Sequence, residues 1–104
     1  MTRPVIRISP KALRFLRENN ITDITFRIAE FDVPNTMGII KEIEPVYKAP
    51  GDARAFRYCR VDEFSIFVAR DIRVDAQMTI TTEGIFRKKL CLAGARPPFF
   101  NFLY

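Results

Sequence analysis

The sequence predicts an α+β fold, a compact and mainly antiparallel β-sheet domain with one clear N-terminal helix. Three observations carry this. Ser9-Pro10 opens a stretch whose apolar residues recur at helical spacing. Several later runs alternate with period two or are rich in β-branched and aromatic residues. Clusters of Pro, Gly and Asn separate those runs. The chain has 104 residues, 48% of them hydrophobic and 28% charged, which suffices for one core without disulfides or metal. Residues 1–104 therefore read as a single domain, with a core over 5–95 and an aromatic C-terminal tail over 96–104.

Val5-Ile6-Arg7-Ile8 is a short run of β type. The Ser9 hydroxyl can then accept from a free backbone N–H, and Pro10 is preorganised for the first helical position. Ala12, Leu13 and Leu16, with Phe15 beside them, form the apolar stripe; Lys11, Arg14 and Arg17 face away. Asn19-Asn20 supplies a stop, because Asn tolerates left-handed backbone. In residues 23–31, Ile24, Phe26 and Ile28 share one face of a half-buried strand. Val33 to Gly38 has turn chemistry, and a strand from Ile39 to about Glu44 pairs back as a hairpin. Pro45 confines that strand to an edge or ends it.

Ala49-Pro50-Gly51-Asp52 is a second turn. Strands follow at 54–61 and 64–69, joined by Asp62-Glu63. The later one, Phe64-Ser65-Ile66-Phe67-Val68-Ala69, is apolar on both faces, as a central strand covered on both sides would be. Residues 70–77 read as irregular and Met78 to Thr82 as a strand. Residues 84–92 fit strand and helix patterns alike, with falling β-branched content and a slight lean to strand. Gly94-Ala95-Arg96-Pro97-Pro98 closes the domain.

Composition narrows the chemistry. The chain has no histidine, which removes Ser-His-Asp and Cys-His catalysis and His-ligated zinc within one chain. Its two cysteines, Cys59 and Cys91, are too few for a disulfide framework, so a reducing cytoplasmic setting is expected. No apolar run approaches a membrane span, and the N-terminal residues lack the pattern of a signal peptide. Net charge is +5. Residues 1–52 carry 8 basic against 7 acidic side chains, and residues 53–104 carry 9 against 5. The second half therefore attracts anions mildly, but its charge is low for a nucleic-acid surface.

Four groups of residues are candidates for function. Cys59 and Cys91 read either as ligands of a metal or iron–sulfur cluster, across a dimer if need be, or as small apolar strand residues. Arg54, Phe56, Arg57, Tyr58 and Arg60 interleave cations with rings. That suits an anion or single-stranded nucleic acid, and equally suits arginines lying over aromatic neighbours. The loop residues Asn35, Thr36, Met37 and Gly38 are candidates for a ligand or partner contact. In the tail, Phe99, Phe100, Phe102, Leu103 and Tyr104 put five large apolar side chains into six residues. Such a tail folds back over the sheet, or packs on a second subunit or a protein partner, or, as the least favoured reading, meets a membrane surface; it suggests a homodimer. Asp62/Glu63 and Asp71/Asp75 are explained by turns, and Thr79, Thr81 and Thr82 by strand propensity. The four glycines at 38, 51, 84 and 94 form no phosphate loop.

The order of elements resembles a known family. Ile6 to Leu16, a strand entering a Ser-Pro helix start, is similar to the opening of the HesB/IscA-like domain of A-type iron–sulfur carriers. Thr25-Phe26-Arg27-Ile28 matches its next strand and Ser65-Ile66-Phe67-Val68 its later buried one. The resemblance implies a β-rich fold with a helix packed on the sheet. The carriers have a Gly-Gly-Cys-Ser-Gly type loop and a C-terminal Cys-x-Cys; here the loop is Pro34-Asn35-Thr36-Met37-Gly38 and no thiol follows Cys91. The chain looks closer to a HesB-like side branch with paired cysteines or a selenocysteine in that loop, whose places Asn35 and Thr36 would take. The expectation is a non-catalytic binding or adaptor protein without a cofactor. Cluster or metal binding through Cys59 and Cys91, and anion or nucleic-acid binding through residues 54–60, are the alternatives.

Overall fold

The computed structural model describes residues 4–35, 38–84 and 88–98. Thr36 and Met37 of the candidate loop, and tail residues Phe99, Phe100, Phe102, Leu103 and Tyr104, lie outside the described residues. The elements are β1 (Val5–Ile8), α1 (Pro10–Glu18), β2 (Asp23–Asp32), β3 (Ile39–Val46), β4 (Phe56–Val61), β5 (Phe64–Ala69), β6 (Arg73–Glu83) and β7 (Lys89–Arg96). A 3-10 turn, Ala53–Ala55, precedes β4.

The helix forms as its sequence dictates. Ser9 Oγ accepts from the Ala12 backbone N–H at 3.1 Å, and Pro10 occupies the first turn. The Ser9 backbone N–H donates to the Ile80 carbonyl at 2.9 Å, which ties the strand–helix junction to β6. Asn20 takes a left-handed φ of 55° just beyond the helix. Ala12 and Leu16 are fully buried, while Leu13 and Phe15 pack at the margin of the core.

The strands form two sheets, not the single sheet expected. Their orders are β1-β6-β7 and β3-β2-β5-β4. Three pairings are antiparallel hairpins of consecutive strands; β1–β6 and β2–β5 are parallel. Turn residues announce hairpins, whereas pairings between distant strands leave no local signature. The inner faces meet in one cluster containing Ile6, Ile24, Phe26, Ile66, Val68, Met78, Ile80 and Leu92. β3 runs beside β7 and β1 beside β4, giving a flattened, barrel-like sandwich with two seams. Tyr47 bridges the β3–β7 seam. Its ring lies 5.9 Å from that of Phe15, and its hydroxyl accepts from the Leu90 N–H at 3.3 Å.

Several boundaries differ from expectation for identifiable reasons. β3 continues through Pro45 because it is an edge strand, where the missing N–H costs no ladder bond. β6 begins at Arg73, inside the stretch expected to be irregular. A register shift between Val74 and Thr79 disrupts the alternation there. β7 runs on to Arg96, past the expected closing Gly94. β5 is central as expected: Phe64, Ile66 and Val68 are buried on its inner face, while on the outer one Ala69 is buried and Ser65 and Phe67 are half-buried. There the Tyr58 ring covers Phe67 at 5.2 Å.

The β4–β5 turn also anchors the helix. Arg17 in α1 donates to both carboxylate oxygens of Glu63, at 3.0 and 3.3 Å. Hydrogen bonding and charge from Arg17 hold the Glu63 carboxyl below its usual range. A carboxyl depressed by folding adds stability above its unfolded pKa and loses it as pH falls through the folded one. Because the pair is exposed, its contribution is small. Urea midpoints of the wild type and Glu63→Gln should therefore differ slightly at neutral pH and converge in acid. A gap that persists in acid would contradict this assignment.

Candidate anion-binding cleft

The second seam, between β1 and β4, opens into a cleft of about 590 Å³. This lies within the range of roughly 300–1,000 Å³ common for small-molecule sites. Antiparallel pairing of β4 with β5 decides which residues reach it. Arg57, Cys59 and Val61 stand opposite Val68, Ile66 and Phe64, so these three face inward with them. Phe56, Tyr58 and Arg60 belong to the other face. At the exposed edge, Tyr58 and Arg60 still reach the rim. The apolar wall comprises Ile6 from β1, Val68 from β5, and Val74 and Met78 from β6. Arg57, Arg60 and Arg70 supply the cations.

Arg17, Arg27, Arg54 and Arg96 each pair with a carboxylate. Among the described residues, no carboxylate forms an ion pair with Arg57, Arg60 or Arg70. Arg70 is held in place by its Nε–H, which donates to the Arg54 carbonyl at 2.9 Å, and by its backbone N–H on the Ala55 carbonyl at 3.1 Å. The Tyr58 hydroxyl lies 3.4 Å from Ser65 Oγ. That hydrogen bond, and a second one with Arg60, draw the phenol below its ordinary range. Arg57, Arg60 and Arg70 thus line the mouth of an apolar slot, while the Tyr58 hydroxyl is engaged with Ser65 on the outer face of the sheet.

The sequence candidates are redistributed by this geometry. Arg54 leaves the predicted strand for the 3-10 turn, where Asp52 accepts from its backbone N–H at 3.1 Å and pairs with its guanidinium at 3.2 Å. The candidate group of Arg54, Phe56, Arg57, Tyr58 and Arg60 therefore loses its first member from the strand, and Phe56 is half-buried against the core. Arg70 carried no local signal as a cleft residue, since it reaches the cleft that Arg57 lines only when β5 folds back beside β4. Met78 and Val74 had no local signal either.

The two thiols do not share a site. Cys59 faces inward on β4, opposite Ile66, and lines the cleft. Cys91 lies on β7 opposite Thr81, on the face away from the inward pair Ile80 and Leu92. Both are half-buried and free. Burial, and then the nearby Glu83 charge, raise the Cys91 thiol above its ordinary pKa. Among the described residues, no three His, Cys, Asp or Glu side chains converge as metal ligands would. In the candidate loop, Asn35 is exposed with a φ of 63°, and the Val33 N–H donates to the Gly38 carbonyl at 3.0 Å. This loop joins β2 to β3, at the opposite edge of the four-stranded sheet from the cleft.

Fold and site together define a small two-sheet α+β protein with a cation-rimmed apolar cleft. A family model described as the CC/Se motif containing family matches residues 4–95, and the chain belongs to that family. Neither the curated proteins nor the solved structures contain a match. The chain itself has no adjacent pair of cysteines, its two thiols being Cys59 and Cys91. No helix among the described residues is long and apolar enough to cross a membrane.

Proposed function

We propose that this protein is a non-catalytic binding module of HesB-like descent that takes an anionic ligand in the β1–β4 cleft. The observation that carries the reading is the convergence of Arg57, Arg60 and Arg70, with no carboxylate partner among the described residues, on one apolar slot. Charge left unneutralised at a concave surface favours a complementary partner. The HesB likeness is supported by the β1–α1–β2 order and the buried β5. In this reading Asn35 and Thr36 stand where relatives carry a sulfur or selenium pair, and the protein acts in the cytoplasm as a homodimer. The anion reading is favoured over a shared metal because Cys59 and Cys91 face different ways from different sheets.

An NMR titration with inorganic phosphate at low salt tests it. Amide shifts should gather at residues 57–60, 70 and 74. They should weaken with added salt and fall about five- to tenfold in apparent affinity in Arg57→Gln, as expected for losing an exposed charged hydrogen bond. Shifts scattered over the whole surface, or none at all, would sink the proposal.

A further inference from the structure

The cleft has a polarity gradient that narrows the ligand. Its cations stand at the mouth: Arg57, Arg60 and Arg70 are all exposed. Its interior is made by Ile6, Val68 and Met78, each less than one-tenth exposed, with Val74 and the Cys59 thiol half-buried beside them. An inorganic anion would satisfy the rim and leave the accessible apolar lining, Pro4, Cys59 and Val74, wet. Conversely, a neutral hydrocarbon would fill the interior and leave three cations unanswered. Only a molecule with both parts answers both walls.

Resting on the anion-binding reading, we infer that the natural ligand is an amphiphile with a carboxylate or phosphate head and an unbranched or lightly branched apolar body. The head meets Arg57, Arg60 and Arg70, and the body lies along Pro4, Cys59 and Val74, over the closed floor of Ile6, Val68 and Met78. The open edges of β1 and β4 make the slot accessible from the side, so the body can slide in without separating a hydrogen-bonded strand pair. Cys59 lies along the path of the body, and its thiol becomes covered when the slot fills.

The test uses the full chain carrying Cys91→Ser, so that Cys59 is the one thiol present. Butanoate, hexanoate, octanoate and the matching alkyl phosphates are titrated by calorimetry beside inorganic phosphate and octanol. In parallel, the rate of Cys59 modification by a small disulfide reagent is followed. Affinity should rise by about two- to fourfold per methylene over this series, as burial of each methylene requires. Octanoate or octyl phosphate should slow Cys59 modification at least several-fold, and Arg57→Gln should weaken octanoate binding without altering the melting temperature by more than a few degrees. The preferred series, carboxylate or phosphate, identifies the head group. Phosphate binding with no dependence on chain length would overturn this inference and leave the anion reading standing. Binding of octanol as tight as octanoate would overturn both, as would failure of every anion.

Discussion

Phe26→Ala is expected to cost about 3–5 kcal/mol, the range for emptying a large aromatic site in a packed core. Phe26 is fully buried in the middle of β2 and, with Phe64, is among the largest enclosed side chains. It stands between Pro45 of β3 and Val68 of β5 in the strand register, so its ring supports three adjacent strands of the four-stranded sheet. Small domains hold only about 5–15 kcal/mol in total, so the loss is a large share of the whole. At about 4–8 °C per kcal/mol for a chain of this size, the melting temperature should fall by roughly 15–30 °C. Phe26→Leu retains most of the volume and should cost about 1–1.5 kcal/mol. Comparing the two by urea denaturation separates volume from mere apolarity: equal midpoints would mean the ring does not fill the core as described.

Phe26 was legible from sequence because its information is local. Ile24, Phe26 and Ile28 alternate cleanly, and one face of a sheet must be buried. The same holds for α1, where Ser9, Pro10 and the apolar stripe agree on start and face. Candidate-site residues behaved differently. Arg57 and Arg60 were picked out by interleaving with aromatics, yet the alternation placed Arg54 on a strand that its pairing with Asp52 pulls into a turn. Arg70, Val74 and Met78 were absent from the sequence candidates, since they reach the cleft only through the β4–β5 hairpin and the parallel β1–β6 pair. Contacts between chain segments dozens of residues apart have no periodic signature. A site built at a seam between sheets is therefore the part of a small β protein that sequence pattern reveals least.

The position that couples this hidden seam to the backbone is Gly94, and Gly94→Ala should cost about 2–4 kcal/mol. Its φ of +87° disfavours any side chain, a strain worth about 1–3 kcal/mol by itself. An added Cβ would also lie 2.5 Å from the Gln77 carbonyl oxygen and 3.2 Å from the Met78 Cα, both backbone atoms that cannot swing aside. Gly94 sits in β7 opposite the irregular stretch of β6, between the pairs Thr79–Ala93 and Val74–Ala95. That irregular stretch places the cleft residues Val74 and Met78, and the parallel pairing with β1, from Val5–Gln77 to Ile8–Ile80, begins inside it. Pushing Gln77 outward must therefore disturb both the edge of the cleft and the β1 ladder. Gly94→Ala should lower the urea midpoint, and amide shifts should spread from residue 94 through 74–78 to Val5 and Ile6. Gly51→Ala is the control, since a Cβ there meets nothing within 4 Å. If Gly94→Ala leaves the stability unchanged and its shifts stay within β7, then β7 does not hold that stretch in place, and the shape of the cleft must come from β1 and β4 alone.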